Sequence, residues 1–170
     1  MLSPLVGYAA TALGHIAISG GTPLQVREIA AATGVPAPYL SKIVNQLSRK
    51  GFVVTRRGTG GGVQLSVDPD AVTLLELCEA LEDPILSPQC MLGLGACDDD
   101  VACPAHEFSR EIRERQMEFL RETTLHDVGR FHARGLARGA MSRSAFTRSA
   151  NQTRKHAPAP RTKRRKGAGG

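Results

Sequence analysis

The stretch VPAPYLSKIVNQLSRKGFVVTRRGTGGGVQL, residues 35–65, leaves the chain few possible architectures. Leu40, Ile43, Val44 and Leu47 recur at the spacing of one helical stripe. Pro36 and Pro38 set the turn that opens this helix, and Gly51 closes it. The chain then passes at once into two short β-rich runs, FVVTR and VQLSV, around the glycine-rich tip RGTGGG. That pattern predicts a β-hairpin. A two-stranded hairpin is marginal alone in water, so it must share a core with the helices before it.

Those helices are legible upstream. Residues 3–18 read as a helix begun by Ser3-Pro4 and stopped by Gly20-Gly21. TPLQV is a short extended piece, and REIAAATGV a brief helix ending at Gly34. REIAAATGVPAPYLSKIVNQL therefore gives two short helices joined by a tight turn. The second helix is about 20 Å long, at ~1.5 Å per residue, a fit to the DNA major groove. It presents Tyr39, Ser41, Lys42 and Asn45 on or near its outer surface. The hairpin tip adds Arg56 and Arg57 beside Gly58 and Gly60. Glycine lets backbone approach phosphate, and arginine suits a narrow, electronegative minor groove.

The expected fold is mainly α with a small β-hairpin wing: a winged helix-turn-helix domain over residues 1–82. Its final helix, LLELCEALE, is opened by a Thr73/Glu76 capping box. A cysteine-rich loop follows over 83–103, then a long helix within 104–128. That helix carries only a thin apolar stripe, Phe108, Ile112, Phe119 and Leu120. A narrow seam needs a partner surface, and a second copy of the chain is the simplest one. Residues 129–170 read as a basic, largely disordered tail. From 141 to 170 there are nine Lys or Arg and no acidic residue, whereas the preceding 140 residues are mildly acidic. A tail of that kind favours polyanions without specifying a sequence.

Residues 35–65 and VTLLELCEALED resemble the IscR/NsrR-type (Rrf-type) winged-helix transcription regulators. The resemblance rests on the Tyr-Leu-containing recognition helix and the wing Arg57-Gly58-Thr59-Gly60-Gly61-Gly62, and covers about residues 1–128. It implies a homodimer on a partly palindromic double-stranded operator. It carries DNA contact onto Pro38, Tyr39, Lys42 and Arg57. Some family members have Ser, Glu or Gln where this chain has Pro38, Ser41 and Lys42, so the operator sequence does not transfer.

Cys90, Cys97, Cys103 and His106 are spaced x6, x5 and x2. No run approaches the roughly 20 apolar residues of a membrane span, so a cytoplasmic location and reduced thiols are expected. Three thiolates and an imidazole suit an iron–sulfur cluster or zinc. The family resemblance implies an iron–sulfur cluster, with 2Fe–2S preferred over 4Fe–4S and His106 as the fourth ligand. Against the IscR-like pattern the chain has one extra residue between the first two cysteines. Metal-free thiol sensing and a structural zinc site are the alternatives. Cys78, inside LLELCEAL, reads as a small buried hydrophobe. A Ser/His/Asp arrangement, a P-loop and an HExxH motif are all missing from the sequence. The expectation is a regulator without catalysis or small-molecule substrate.

Overall fold

The computed structural model describes residues 1–137 apart from 88, 94, 96–99, 101 and 102. Six helices and one hairpin follow in order: α1 (Pro4–Ala17), α2 (Val26–Thr33), α3 (Ala37–Arg49), β1 (Val53–Arg56), β2 (Gly62–Leu65), α4 (Leu74–Ala80), α5 (His106–Glu122) and α6 (Leu125–Ala137). A single 3-10 turn, Pro84–Leu86, lies between α4 and α5. No helix among the described residues is long and apolar enough to cross a membrane.

The central element is α1, which packs against α2, α3, α4, α6 and β2. Its sequence, PLVGYAATALGHIA, explains how one helix meets so many neighbours: small residues let backbones come close while Val6, Leu13 and Ile16 fill the core. Ser3 caps its start, accepting from the Val6 amide. Ser3 in turn donates from N and Oγ to Asp83 Oδ2, at 3.0 and 2.6 Å. Asp83 Oδ1 accepts from the Ile85 amide at 2.9 Å. One buried carboxylate thus ties the first turn of α1 to the start of the cysteine loop.

The winged helix-turn-helix is present as expected. In α3 the buried residues are Leu40, Ile43, Val44 and Leu47. Gly51 takes a positive φ of 82° after the helix, and the Phe52 amide donates back to the Leu47 carbonyl at 2.9 Å. The antiparallel hairpin runs in the register Val53↔Leu65 to Arg56↔Gly62. Leu24, from the TPLQV piece, adds a two-way bridge to Val63 on its outer edge. A Cβ at Gly62 would stand 2.7 Å from the Leu24 carbonyl oxygen, so that edge pairing requires glycine. The Thr73/Glu76 capping box opens α4 as predicted, with the Thr73 amide donating to Glu76 Oε2 at 2.7 Å.

One expectation needs correction. The long helix lies within the expected 104–128, as His106–Glu122, but the expected boundary at 128/129 falls inside α6, which packs along α1. The reason lies at Gly14 and Gly129, where the two backbones nearly touch: a Cβ on Gly129 would collide with the Gly14 carbonyl. Thr124 and Asp127 cap α6, with Thr124 Oγ1 donating to Asp127 Oδ2 at 2.9 Å. The Leu125 amide donates to the Val72 carbonyl, so the α5–α6 corner is pinned to the start of α4. Residues 138–170, the rest of the expected tail, lie outside the described residues.

The α1–α6 contact also holds a histidine pair, His132 buried and His15 half-buried. His15 and His132 stack edge to face with ring centroids 6.3 Å apart. Nδ1 of each is buried without a hydrogen-bond partner. Burial lowers both pKa values, and at His15 the charge of His132 lowers it further. No carboxylate offsets this from α1, which contains no Asp or Glu. The Asp127 carboxylate of α6 is exposed and engaged at the helix cap. Groups whose folded pKa is depressed take up protons more readily when unfolded. Their contribution to stability is therefore complete above the unfolded value of about 6.5 and is lost as pH falls through it toward the folded values. The expected result is a melting temperature that drops between about pH 7 and pH 5, measured by circular dichroism. His132→Leu should flatten that dependence, and an equally steep drop in the variant would clear the pair of responsibility.

Candidate functional site

Two surfaces carry the predicted chemistry, one on α3 and the wing, the other at the foot of α5. On the first, Pro38, Tyr39, Ser41, Lys42, Arg56, Arg57, Gly58 and Gly60 are all exposed. The burial of Leu40, Ile43, Val44 and Leu47 turns the opposite face of α3 outward. Ser41 Oγ donates to the Ala37 carbonyl at 3.0 Å. The Tyr39 ring stands edge-on to Tyr8 of α1, centroids 5.4 Å apart, which orients it from behind. Pro36 leads the chain into the helix with Pro38 in its first turn, where a missing amide costs nothing.

The wing tip is held as firmly as its size permits. Gly58 and Gly60 have φ of 93° and 79°, conformations that side chains resist. The Gly61 amide donates to the Gly58 carbonyl at 3.0 Å. A Cβ on Gly61 would run into the Arg56 carbonyl. Gln25 Nε2, just ahead of α2, donates to the Gly61 carbonyl and fastens the tip to the helix-turn-helix. Sequence reasoning missed this strut because a lone Gln carries no motif.

The charge of this surface is lopsided. Residues 29–67 include Lys42, Arg49, Lys50, Arg56 and Arg57, all exposed, and no acidic residue. This second missed signal was readable by counting. With no ion pair to Lys42, Arg49, Lys50, Arg56 or Arg57 among the described residues, these cations are available to phosphates.

At the second surface the structure brings together part of the predicted ligand set. Cys90 Sγ and Cys103 Sγ stand 4.0 Å apart. A tight curl makes this possible: the Cys90 amide donates to the Gly95 carbonyl and the Gly93 amide to the Cys90 carbonyl, both at 2.9 Å. Gly93 and Gly95 have φ of 75° and 106°. His106 is the first residue of α5, and its amide donates to the Cys103 carbonyl at 2.9 Å. Cys97 lies outside the described residues, as do Asp98 and Asp99. Two thiolates on one tetrahedral centre with ~2.3 Å bonds sit roughly 3.8 Å apart, so this spacing fits a shared metal or cluster edge. Cys78 is unlike them. It is fully buried in α4, and burial, then the charges of Asp83 and Glu79, push its thiol up to about 11. It stays protonated at neutral pH and is a poor ligand.

Three similarities bear on this geometry. The chain is 30% identical over 130 residues to a protein of Aquifex aeolicus (strain VF5) described as an HTH-type transcriptional regulator, covering 75% of this chain and 90% of that one. It is 28% identical over 150 residues to the HTH-type transcriptional regulator IscR of Klebsiella pneumoniae (strain 342), covering 82% and 91%. The structure of CymR, the global cysteine regulator of B. subtilis, matches with a TM-score of 0.63 at 28% identity, covering 77% of this chain and 97% of CymR. Residues 2–130 match the model of the Rrf2 family, whose description is iron-dependent transcriptional regulator. With its reading helix and wing in place, the chain belongs to the Rrf2 family of DNA-binding transcription regulators.

Proposed function

We propose that the chain acts as a homodimer on a partly palindromic operator, and that an iron–sulfur centre held by Cys90, Cys97, Cys103 and His106 sets its affinity for DNA. The 4.0 Å approach of Cys90 and Cys103 carries the sensory half of this reading. The dimeric half is supported by α5, where Phe108, Ile112 and Phe119 are 55%, 49% and 58% exposed. They fall on one side of the helix at steps of four and seven residues, a seam that a second α5 would cover.

In this reading α3 enters the major groove with Tyr39 and Lys42 toward the bases, while Arg57 reaches the adjoining minor groove. Two heads must meet half-sites about one DNA turn, roughly 34 Å, apart. The cysteine loop lies between the reading head and α5, and Asp83 links its start to α1. Rearranging the loop would thus alter both the dimer seam and the posture of the heads. A cluster, preferably 2Fe–2S, supplies a redox change or loss of the centre as the signal. The chain's own part would be to offer soft thiolates, an imidazole and glycines that let the loop wrap.

Protein isolated without oxygen should be coloured and carry iron and acid-labile sulfide. Cys103→Ala should lose the colour and shift operator affinity by about 5- to 150-fold, the usual span of site-to-site coupling. Wild-type protein with neither iron nor sulfide would remove the cluster; stoichiometric zinc in its place would indicate the structural metal. The Cys90–Cys103 spacing also favours a second reading, in which an oxidant such as peroxide takes two electrons and two protons from the thiols to form a disulfide. A bond of ~2.05 Å requires the sulfurs to close by only about 2 Å. Reversible loss of two titratable thiols in metal-free protein, together with altered operator binding, would support it.

A further inference from the structure

A groove of about 680 Å³ opens between the 3-10 turn, the loop after it and α5. We infer that it binds a small amphipathic carboxylate as an effector. The volume lies in the range of ordinary small-molecule sites. One part of the wall is apolar, formed by Met1, Ile85, Met91 and Ile112. The other presents Ser109 and Arg113, together with Gln89 and Gln116.

The charge of the ligand follows from how the two arginines of the wall are used. Arg110 is neutralised by Glu107 and by Glu114, the latter at 3.2 Å. Arg113 pairs with no carboxylate among the described residues. Its guanidinium donates to the main-chain carbonyls of Ile85 and Leu86, which leaves its charge uncancelled and part of its donor set unused. Among the described residues no Asp or Glu lines the groove. One turn back along α5, the Ser109 hydroxyl is buried with no hydrogen-bond partner. Such a group ordinarily finds a partner, and a ligand oxygen is one way to provide it. An arginine with spare donors and an orphaned hydroxyl suit a carboxylate head, while the methionines and isoleucines suit an alkyl body.

The position gives the ligand a purpose. The groove joins the amino-terminal residue, the segment flanking Cys90 and one side of α5. Ile112 belongs both to its wall and to the exposed seam of α5. A molecule seated there would clamp the loop against the helix and give the regulator a second input. His106, a proposed metal ligand, also lines the groove, but the inference is argued from Ser109 and Arg113, which are not candidate metal ligands.

Octanoate and its neutral counterpart 1-octanol are suitable probes, titrated calorimetrically into the full-length protein. Octanoate should bind saturably and at least about tenfold more tightly than octanol, the increment of one charged hydrogen bond. Arg113→Gln should remove that preference. Ser109→Ala, which takes away a buried unsatisfied group and so leaves the fold sound, should weaken octanoate severalfold. Arg113→Gln should keep the wild-type iron and sulfide content, which separates this test from that of the metal site. Absence of saturable binding would overturn the inference and leave the groove to a second copy of the chain. So would equal affinity for octanol, or octanoate binding unchanged in both Ser109→Ala and Arg113→Gln.

Discussion

Gly129→Ala will destabilise the protein by about 1–3 kcal/mol, the range for an overpacked contact, and lower its melting temperature by roughly 3–10 °C. The sign is the informative part. In an ordinary helix interior the same change gains up to about 1 kcal/mol, because alanine restricts the unfolded chain and favours the helix. Here the added methyl group would enter the space held by the Gly14 carbonyl, with Ile18 Cγ2 only 2.8 Å away. The nearer obstacle is main chain and cannot yield cheaply. Relief would have to come from separating α6 from α1. Gly7→Ala is the matched control: it lies in α1, and a Cβ there meets nothing within 4 Å. It should raise stability by about 0.5–1 kcal/mol. Chemical denaturation of both variants decides the matter, and a stabilised Gly129→Ala protein would mean that the helices do not cross so closely.

That crossing shows where the sequence was hard to read. The stripe of α3 was plain because its inward positions are Leu, Ile, Val and Leu, and burying them is what the pattern measures. The Thr73/Glu76 box and Gly51 were equally plain, since each residue type has a specific role in local backbone chemistry. In α6 the inward positions include Gly129 and His132, neither of which registers as apolar. The helix therefore looked like the start of a polar tail. Its burial comes from a neighbour more than a hundred residues earlier in the chain, and only the fold reveals that Gly14 waits opposite. The candidate sites divide in a similar way. Cysteine spacing and exposed Lys and Arg can be read along the chain. The Gln25 strut beneath the wing and the edge-on support of Tyr39 by Tyr8 cannot, because each joins residues that are distant in sequence.

Arg57→Ala will weaken operator binding by about a hundredfold. Arg57 is exposed at the wing and forms no ion pair among the described residues, so its deletion leaves no internal charge stranded and the fold should persist. Loss of one charged contact with DNA costs on the order of 1.5 kcal/mol. The proposed homodimer would lose it twice, and about 3 kcal/mol corresponds to roughly two powers of ten in the dissociation constant. Each lost phosphate neutralisation also makes the plot of log affinity against log salt shallower by about 0.9, so the dimer should change slope by roughly 2. Tyr39→Ala separates base reading from this electrostatic term. It should lower preference for the operator over random DNA while keeping the salt slope, because tyrosine neutralises no phosphate. Tyr39→Phe preserves the edge contact with Tyr8 and tests whether the hydroxyl or the ring is read. Salt titrations of the three variants on operator and random duplexes assign the wing to affinity and α3 to sequence. Wild-type affinity and slope in Arg57→Ala would take the wing away from the DNA, since an arginine in either groove or on a phosphate must displace counterions.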